Sequence, residues 1–474
     1  MSADGQNFLV EKHSIDFIPH HLRHGKPSDL FFFWFGANAQ MVVAATGLIA
    51  IVPGFNLWWA VVGIVIGSIF GSIFMAYHSA QGPHLGIPQM IQSRAQFGFY
   101  GAVIPLIMVV VMYLGFYAAG AVIGAEAISR LFHTSVSTGI ILSSVAEALL
   151  TLAGYNVIHK FNRWMSYLFV VVFVIVTGLL LFGPHLTTAH HQAAHSGFVL
   201  GPFLLTISLA VINTLGYAPY VADYSRYLPE KTTISSTFWY SYLAIVLSNA
   251  WMMILGAVIQ AEAPNSDPLA GFVALGQHLG SWFVGLLLLA SAFGVMSINN
   301  LNIYGCAMSS MTIVTTFAKK MKPTFVLRAW FIIPVIIVGT YLAFLAQSNL
   351  LASFENFLTL LIDFLVPWTA INLSDYYILR HGNYDIAEIF IPNGRYGRFN
   401  GLAILTYFVG FAAELPFMNS AIYEGPIAKM LNGGDISWII GLIVSGVLYM
   451  VLFSTMIAKK NSYSSSATLK QSGN

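Results

Sequence analysis

Twelve apolar runs, each bounded by polar residues or by Gly and Pro, dominate this chain and leave few folds open to it. They fall at 30–51, 57–79, 99–129, 137–156, 165–183, 199–220, 236–261, 280–317, 327–346, 354–379, 399–418 and 435–457. A helix needs about 20 apolar residues to cross a bilayer. Runs of this length and number predict an all-α integral membrane protein with twelve spanning helices. Charged residues make up only 8% of the 474, against roughly 25% in a soluble domain, so the chain cannot cover itself for water. Runs 99–129 and 280–317 are long enough to tilt or to carry turns outside the bilayer.

Lys and Arg orient the spans, because cytoplasmic loops are enriched in them. With the N-terminus inside and the loops alternating, only Arg130 and Lys429 of the 20 basic residues fall outside. A miscounted span would flip every later loop and spoil this split. Both tails, 1–29 and 458–474, are therefore expected in the cytoplasm, with the body in the plasma (inner) membrane. The N-terminal tail is polar and contains acids, unlike a cleaved signal peptide. A net charge of +2 gives no case for nucleic acid. The single Cys306 excludes an intramolecular disulfide and a Cys-based metal site. Oligomeric state is left open, a monomer being compatible.

Two runs interrupt themselves. Gly201–Pro229 begins as an apolar helix and then meets Asn213, Thr214, Gly216 and Pro219. Gly supplies backbone freedom and Pro removes a donor. Broken backbone at membrane depth is tolerated only where protein or a wet cavity satisfies it. The first run likewise carries Gly36, Asn38 and Gln40 at mid-span, where amides should face a partner helix or a cavity. The interrupted runs are five spans apart. Five is odd, so two five-span units, 30–183 and 184–379, would lie in opposite topology, with 399–457 outside the repeat. Inverted-repeat transporters have this arrangement, and their broken helices form the substrate and ion sites.

Further polar features fall inside the runs. The cytoplasmic link QGPHLGIPQMIQSRAQFG suggests a structured loop or short amphipathic helix. Tyr113 and Phe116 share a face of span three, with Tyr117 beside them. In span eight Gly294, Ser297 and Leu301 share one face, and Asn299 and Asn302 another, with Asn300 displaced. One side of that helix should be wet or touch a polar ligand. Glu147, Asp363 and Glu414 are intramembrane acids and candidate proton carriers. Glu126 with Arg130, and Asp223 with Arg226, read as local structural pairs. The histidines of the tail (His20, His21, His24) and of the outer loop (His190, His191, His195) lack Cys or carboxylate partners. HExxH, Walker A and GxSxG are all absent, so ATP-driven transport and familiar hydrolysis lose their signatures. A polytopic enzyme would need catalytic groups converging at one face. A channel would place its polar residues in repeated rings.

The segments WFGANAQ (34–40), GPHLGIPQMIQSRAQFG (82–98), YAPYVADYSRYLP (217–229) and DYYILRHGNYD (375–385) carry a family likeness. In these blocks the chain resembles the nucleobase:cation symporter-1 family, closest to its cytosine/purine permease branch. The resemblance implies a LeuT-type 5+5 inverted repeat with helices one and six broken, plus two C-terminal helices. It implies no enzymatic activity and no cofactor, only a coupling H⁺ or Na⁺. Carried over by position, the substrate contacts would be Phe35 and Gln40 in span one and Tyr113, Phe116 and Gly120 in span three. Span six would supply Asn213, Thr214 and Tyr217, and span eight Asn302. Phe116 would stack on a flat heterocycle while Gln40 and Asn213 read its donor and acceptor edge. The family's sodium site maps to Gly36, Ala39, Gly294 and Ser297. Ile298 stands where that site has a second hydroxyl, which makes proton coupling as good a reading. Hydantoin carriers place Trp at the positions of Phe116 and Asn213, which argues against hydantoin as solute. The implied function is import of a nucleobase or related N-heterocycle by alternating access.

Overall fold

The computed structural model describes residues 16–51, 55–153, 155–183, 197–264, 267–318 and 325–471. The outer-loop histidines His190, His191 and His195 and the lysines Lys319, Lys320 and Lys322 lie outside them. The first run is two helices, α1 (Pro27–Asn38) and α2 (Met41–Ile49), bent by 60° at their junction. Ala39 (φ −75°, ψ 80°) and Gln40 (φ −151°, ψ 165°) leave helical geometry there. The Gln40 carbonyl accepts from the amides of Val43 and Ala44, so it restarts the helix it interrupts. The expected break in span one is therefore present.

Next come α3 (Leu57–Leu85) and α4 (Gln89–Phe97). α3 outruns its apolar segment and passes through Pro83. Arg23 Nη1 donates to the Pro83 carbonyl at 2.6 Å, pinning the N-terminal tail to this end. The polar link after α3 is α4, and all nine of its residues are buried. Asp223 Oδ1 accepts from the Gln89 amide at 2.7 Å and caps α4. Asp223 thus serves a distant helix, while Arg226 Nε donates to its backbone carbonyl. Burial lowers the Arg94 guanidinium to about 10. Its Nη2 donates to Thr316 at 3.1 Å, and its carbon lies 4.2 Å from the Phe99 ring centre.

The chain continues through α5 (Val103–Phe132), α6 (Val136–Ala153), α7 (Tyr155–Phe182) and α8 (Leu200–Leu215). After α8, Gly216–Tyr220 forms tight turns before the short α9 (Val221–Ser225). The sixth run is broken where Gly216 and Pro219 stand. Then follow α10 (Ile234–Glu262), α11 (Ala270–Gly276), α12 (Ser281–Phe317) and α13 (Phe325–Ala346). α14 (Leu350–Leu373) runs into a wider-turned π segment, Ser374–Leu379. The last helices are α15 (Ile386–Ile389), α16 (Gly401–Glu414), α17 (Pro426–Met430) and α18 (Ser437–Gln471). α18 runs past the expected end of its apolar run at 457. Among the described residues, eight helices are long and apolar enough to span a membrane, nine with the bent pair. Shorter apolar helices (Val136–Leu152, Leu200–Leu215 and Gly401–Phe417) occupy the remaining three expected places. This is an all-helical, multi-pass membrane protein.

Two packed groups face each other. In one, α3 lies along α8 and α10, and α1 and α2 lie against α10. In the other, α5 packs along α12 and against α6 and α13. Small residues let the first group approach closely. A Cβ on Gly47 would fall 2.0 Å from the Met253 carbonyl, and one on Gly256 would fall 1.9 Å from that of Ala44. At the rim, Arg130 pairs with Asp267, so its salt bridge reaches the segment before α11.

Candidate substrate site

The two breaks meet. Gln40, from the α1–α2 gap, and Asn213, Gly216, Tyr217 and Tyr220, from the end of α8, line one small cavity. Phe116 of α5 and Ile298 and Asn302 of α12 close its other side, with Val42 and Val43 above. Its volume is about 20 Å³, room for roughly one water. Gln40 and Ile298 also line a second cavity of about 930 Å³. That volume lies within the range of small-molecule pockets. The large cavity runs between α1, α7 and α12 as far as His24 and Asp29. Its mouth therefore opens on the face that carries the N-terminal tail.

The polar groups at the small cavity differ in what they have to spare. Gln40 Oε1 is buried with no hydrogen-bond partner. Asn213 is already engaged: its Nδ2 donates to Asn249 Oδ1 at 2.5 Å, and its Oδ1 accepts from Thr46 Oγ1 at 3.3 Å. Asn249 in turn donates to Ser68 at 2.8 Å. An amide held at both ends is rigid, yet it keeps a second N–H and a second lone pair. Phe116 is fixed from behind, its ring centre 5.2 Å from that of Phe357 and 6.1 Å from that of Phe354, both on α14. Phe116 is thus presented as a flat wall backed by two rings.

Of the positions carried over by resemblance, Gln40, Phe116, Asn213, Tyr217 and Asn302 come together here. Phe35 lines the large cavity, stacked between Phe31 and Trp251. Three others are placed elsewhere. Thr214 faces α3, where its oxygen lies 2.2 Å from a Cβ built on Gly71, and it donates to its own helix. Gly120 sits against Asn299. Tyr113 is buried against Gly305 and touches the cavity only through Tyr220, 5.4 Å away. The ion-site positions Gly36, Ala39, Gly294 and Ser297 all line the large cavity. Ser166 and Asn162 of α7 face them, and Asn162 Oδ1 has no partner.

The asparagines of α12 do not form one wet side. Asn299 Nδ2 donates to Glu147 at 3.1 Å and to the Tyr117 carbonyl at 3.3 Å, while Asn300 accepts from Thr151 at 2.6 Å. Only Asn302 reaches the cavity. Asn38 likewise donates to Ser248 at 2.9 Å and joins α1 to α10, leaving Gln40 as the cavity amide of that pair. Tyr220 and Val43 were not singled out by sequence. Tyr220 could have been, as an aromatic one residue beyond Pro219 at a helix break.

Residues 17–441 match the sequence pattern of the family described as "Permease for cytosine/purines, uracil, thiamine, allantoin". The chain belongs to the cytosine/purine permease family. It is a transporter and not an enzyme. The permease is 44% identical over 454 residues to the permease YxlA of Bacillus subtilis (strain 168), covering 96% of this chain and 98% of that one. It is 24% identical to the purine-cytosine permease fcyB of Emericella nidulans, over 88% and 83% of the two chains. Its fold is that of Mhp1. The inward-facing conformation of Mhp1 superposes with a TM-score of 0.76 at 17% identity, over 95% of both chains. Mhp1 in a closed conformation with bromovinylhydantoin bound gives 0.73 at 18% identity, over 93% and 94%.

Proposed function

We propose that this permease imports a nucleobase, cytosine or a purine, or a related N-heterocycle, by symport with H⁺ or Na⁺ and alternating access. The observation that carries the reading is the convergence of Gln40, Phe116, Asn213, Tyr217 and Asn302 from four separate helices onto the two breaks. A neutral, planar, hydrogen-bond-rich ring suits a flat aromatic wall faced by amides, because an unpaired polar edge in a dry site is costly. The family description and the fcyB relationship support that solute class. In this reading the chain has twelve spans, with α1–α7 and α8–α14 as inverted five-span repeats and α16 and α18 outside them. Both tails lie in the cytoplasm of a cell bounded by this plasma (inner) membrane. The wide cavity toward the tail then corresponds to an inward-open state.

The packing suits alternating access. The bundle of α1, α2, α3, α8 and α10 rocks against α5 and α12, and the solute is held where the breaks meet. The coupling ion is held near Gly36, Ala39, Gly294 and Ser297, or is a proton. The test is uptake of a panel of radiolabelled bases into proteoliposomes, imposing the Na⁺ gradient and the pH gradient separately. Saturable uptake of at least one base, driven by one of the gradients, is expected. Uptake of no base under either gradient overturns the reading.

A further inference from the structure

Asp363 of α14 and Glu414 of α16 are 1% and 0% exposed, and their carboxyl oxygens lack well-formed hydrogen bonds; the Ser437 hydroxyl beside Asp363 is committed to Asp435 at 2.7 Å. Both belong to the seam where α14, α16 and α18 meet, away from both cavities. Glu414 rests on bare backbone: a Cβ on Gly441 of α18 would lie 1.5 Å from its Oε1. One turn further along α18, Ser445 Oγ is also buried and unpartnered. It points into the same seam, 1.8 Å from a Cβ built on Gly410, which would itself lie 3.3 Å from Pro367 of α14. Pro367 lies four residues after Asp363 and has no N–H to give that residue's carbonyl. The seam thus holds more acceptors than the protein supplies donors for.

The titratable groups facing the pair are Asp435, just before α18, and Tyr407 on α16. Asp435 is fully satisfied: it accepts from the Ser437 amide and hydroxyl at 2.9 and 2.7 Å and from the Asn419 amide at 2.9 Å. Among the described residues no lysine, arginine or histidine pairs with Asp363 or Glu414, and no group of His, Cys, Asp and Glu is arranged to hold a metal ion. Two carboxylates side by side in apolar surroundings are disfavoured by desolvation and by their mutual repulsion. A proton on each removes that cost and turns it into a donor for its neighbours.

We propose that Asp363 and Glu414 form a proton-binding site between α14, α16 and α18, separate from the solute cavity. The site has a route to function, because α14 carries Phe354 and Phe357 onto Phe116. The proposal does not rest on the transport reading, since it can be tested without solute or gradient. Infrared spectra of the full-length protein in nanodiscs at neutral pH should contain the carbonyl stretch of neutral carboxyl groups. Asp363→Asn and Glu414→Gln should each remove a distinct component of that band. An unchanged band in both variants would mean that both acids are ionised, and would overturn the site. Should either variant fail to fold, ¹³C-aspartate labelling of the wild-type chain replaces it. Part of the band must then move to lower frequency, and a band that stays in place overturns the site equally.

Discussion

At the scale of single residues, the candidate site contrasts an amide engaged at both ends, Asn213, with one whose oxygen is spare, Gln40. Gln40 Oε1 has no protein partner, so Gln40→Ala should weaken uptake of the preferred base at least tenfold, about 1.4 kcal/mol, and leave the thermal midpoint near that of the wild type. Phe116→Ala should cost uptake at least as much, since it removes the wall on which a ring would stack. Asn213→Ala should lose a similar factor in uptake and also lower the midpoint, because Asn249 and Thr46 lose their partner. Thr214→Val separates placement from contact. Its hydroxyl serves its own helix, so apparent affinity should stay within twofold of wild type. A tenfold loss there would show that Thr214 turns toward the solute during the cycle.

At the scale of elements, the breaks were legible because amides and glycine are poor residues for a helix that must satisfy its backbone in hydrocarbon. Ala39–Gln40 and Gly216–Tyr220 leave helical geometry where those residues stand. Close packing makes its own prediction. Gly47→Ala would press a methyl group into the Met253 carbonyl, and such overpacking costs about 1–3 kcal/mol. Melting of the purified variant should show a clear drop in midpoint, whereas Gly285→Ala, in open space on α12, should melt as wild type does. Helix faces were less legible. Asn299 and Asn302 are three residues apart and share a broad side of α12, yet one meets Glu147 and the other the cavity. Spacing places a residue on a face, but the neighbouring helix decides which slice of that face is wet. α4 was expected as a structured loop or short amphipathic helix, but its complete burial was not legible. Only long-range partners such as Asp223, Thr316 and Asp375 make the burial of so polar a helix tolerable.

For the whole molecule, the distribution of Lys and Arg was the most informative part of the sequence, since it counts spans without depending on where each helix ends. Orientation has a direct check. With Cys306 replaced by Ser, Ser166→Cys in the wide cavity should react with a membrane-impermeant thiol reagent in inside-out vesicles. Right-side-out vesicles should leave it unmodified, and the opposite pattern would reverse the assigned topology. A last consequence lies in the seam between α2 and α10. Their main chains touch at Gly47 and Gly256, so the second half of the first run, α2, is packed backbone to backbone on its neighbour. The first half, α1, is fastened to α10 by a side-chain bond and stacked rings, with an open funnel behind it. On the proposed transport reading, α1 is the element expected to swing when cargo leaves. A wedge lodged against Phe31 and Phe35 would jam the exit without competing for the cargo's own seat, so a blocker of that kind should lower the maximal rate and spare apparent affinity.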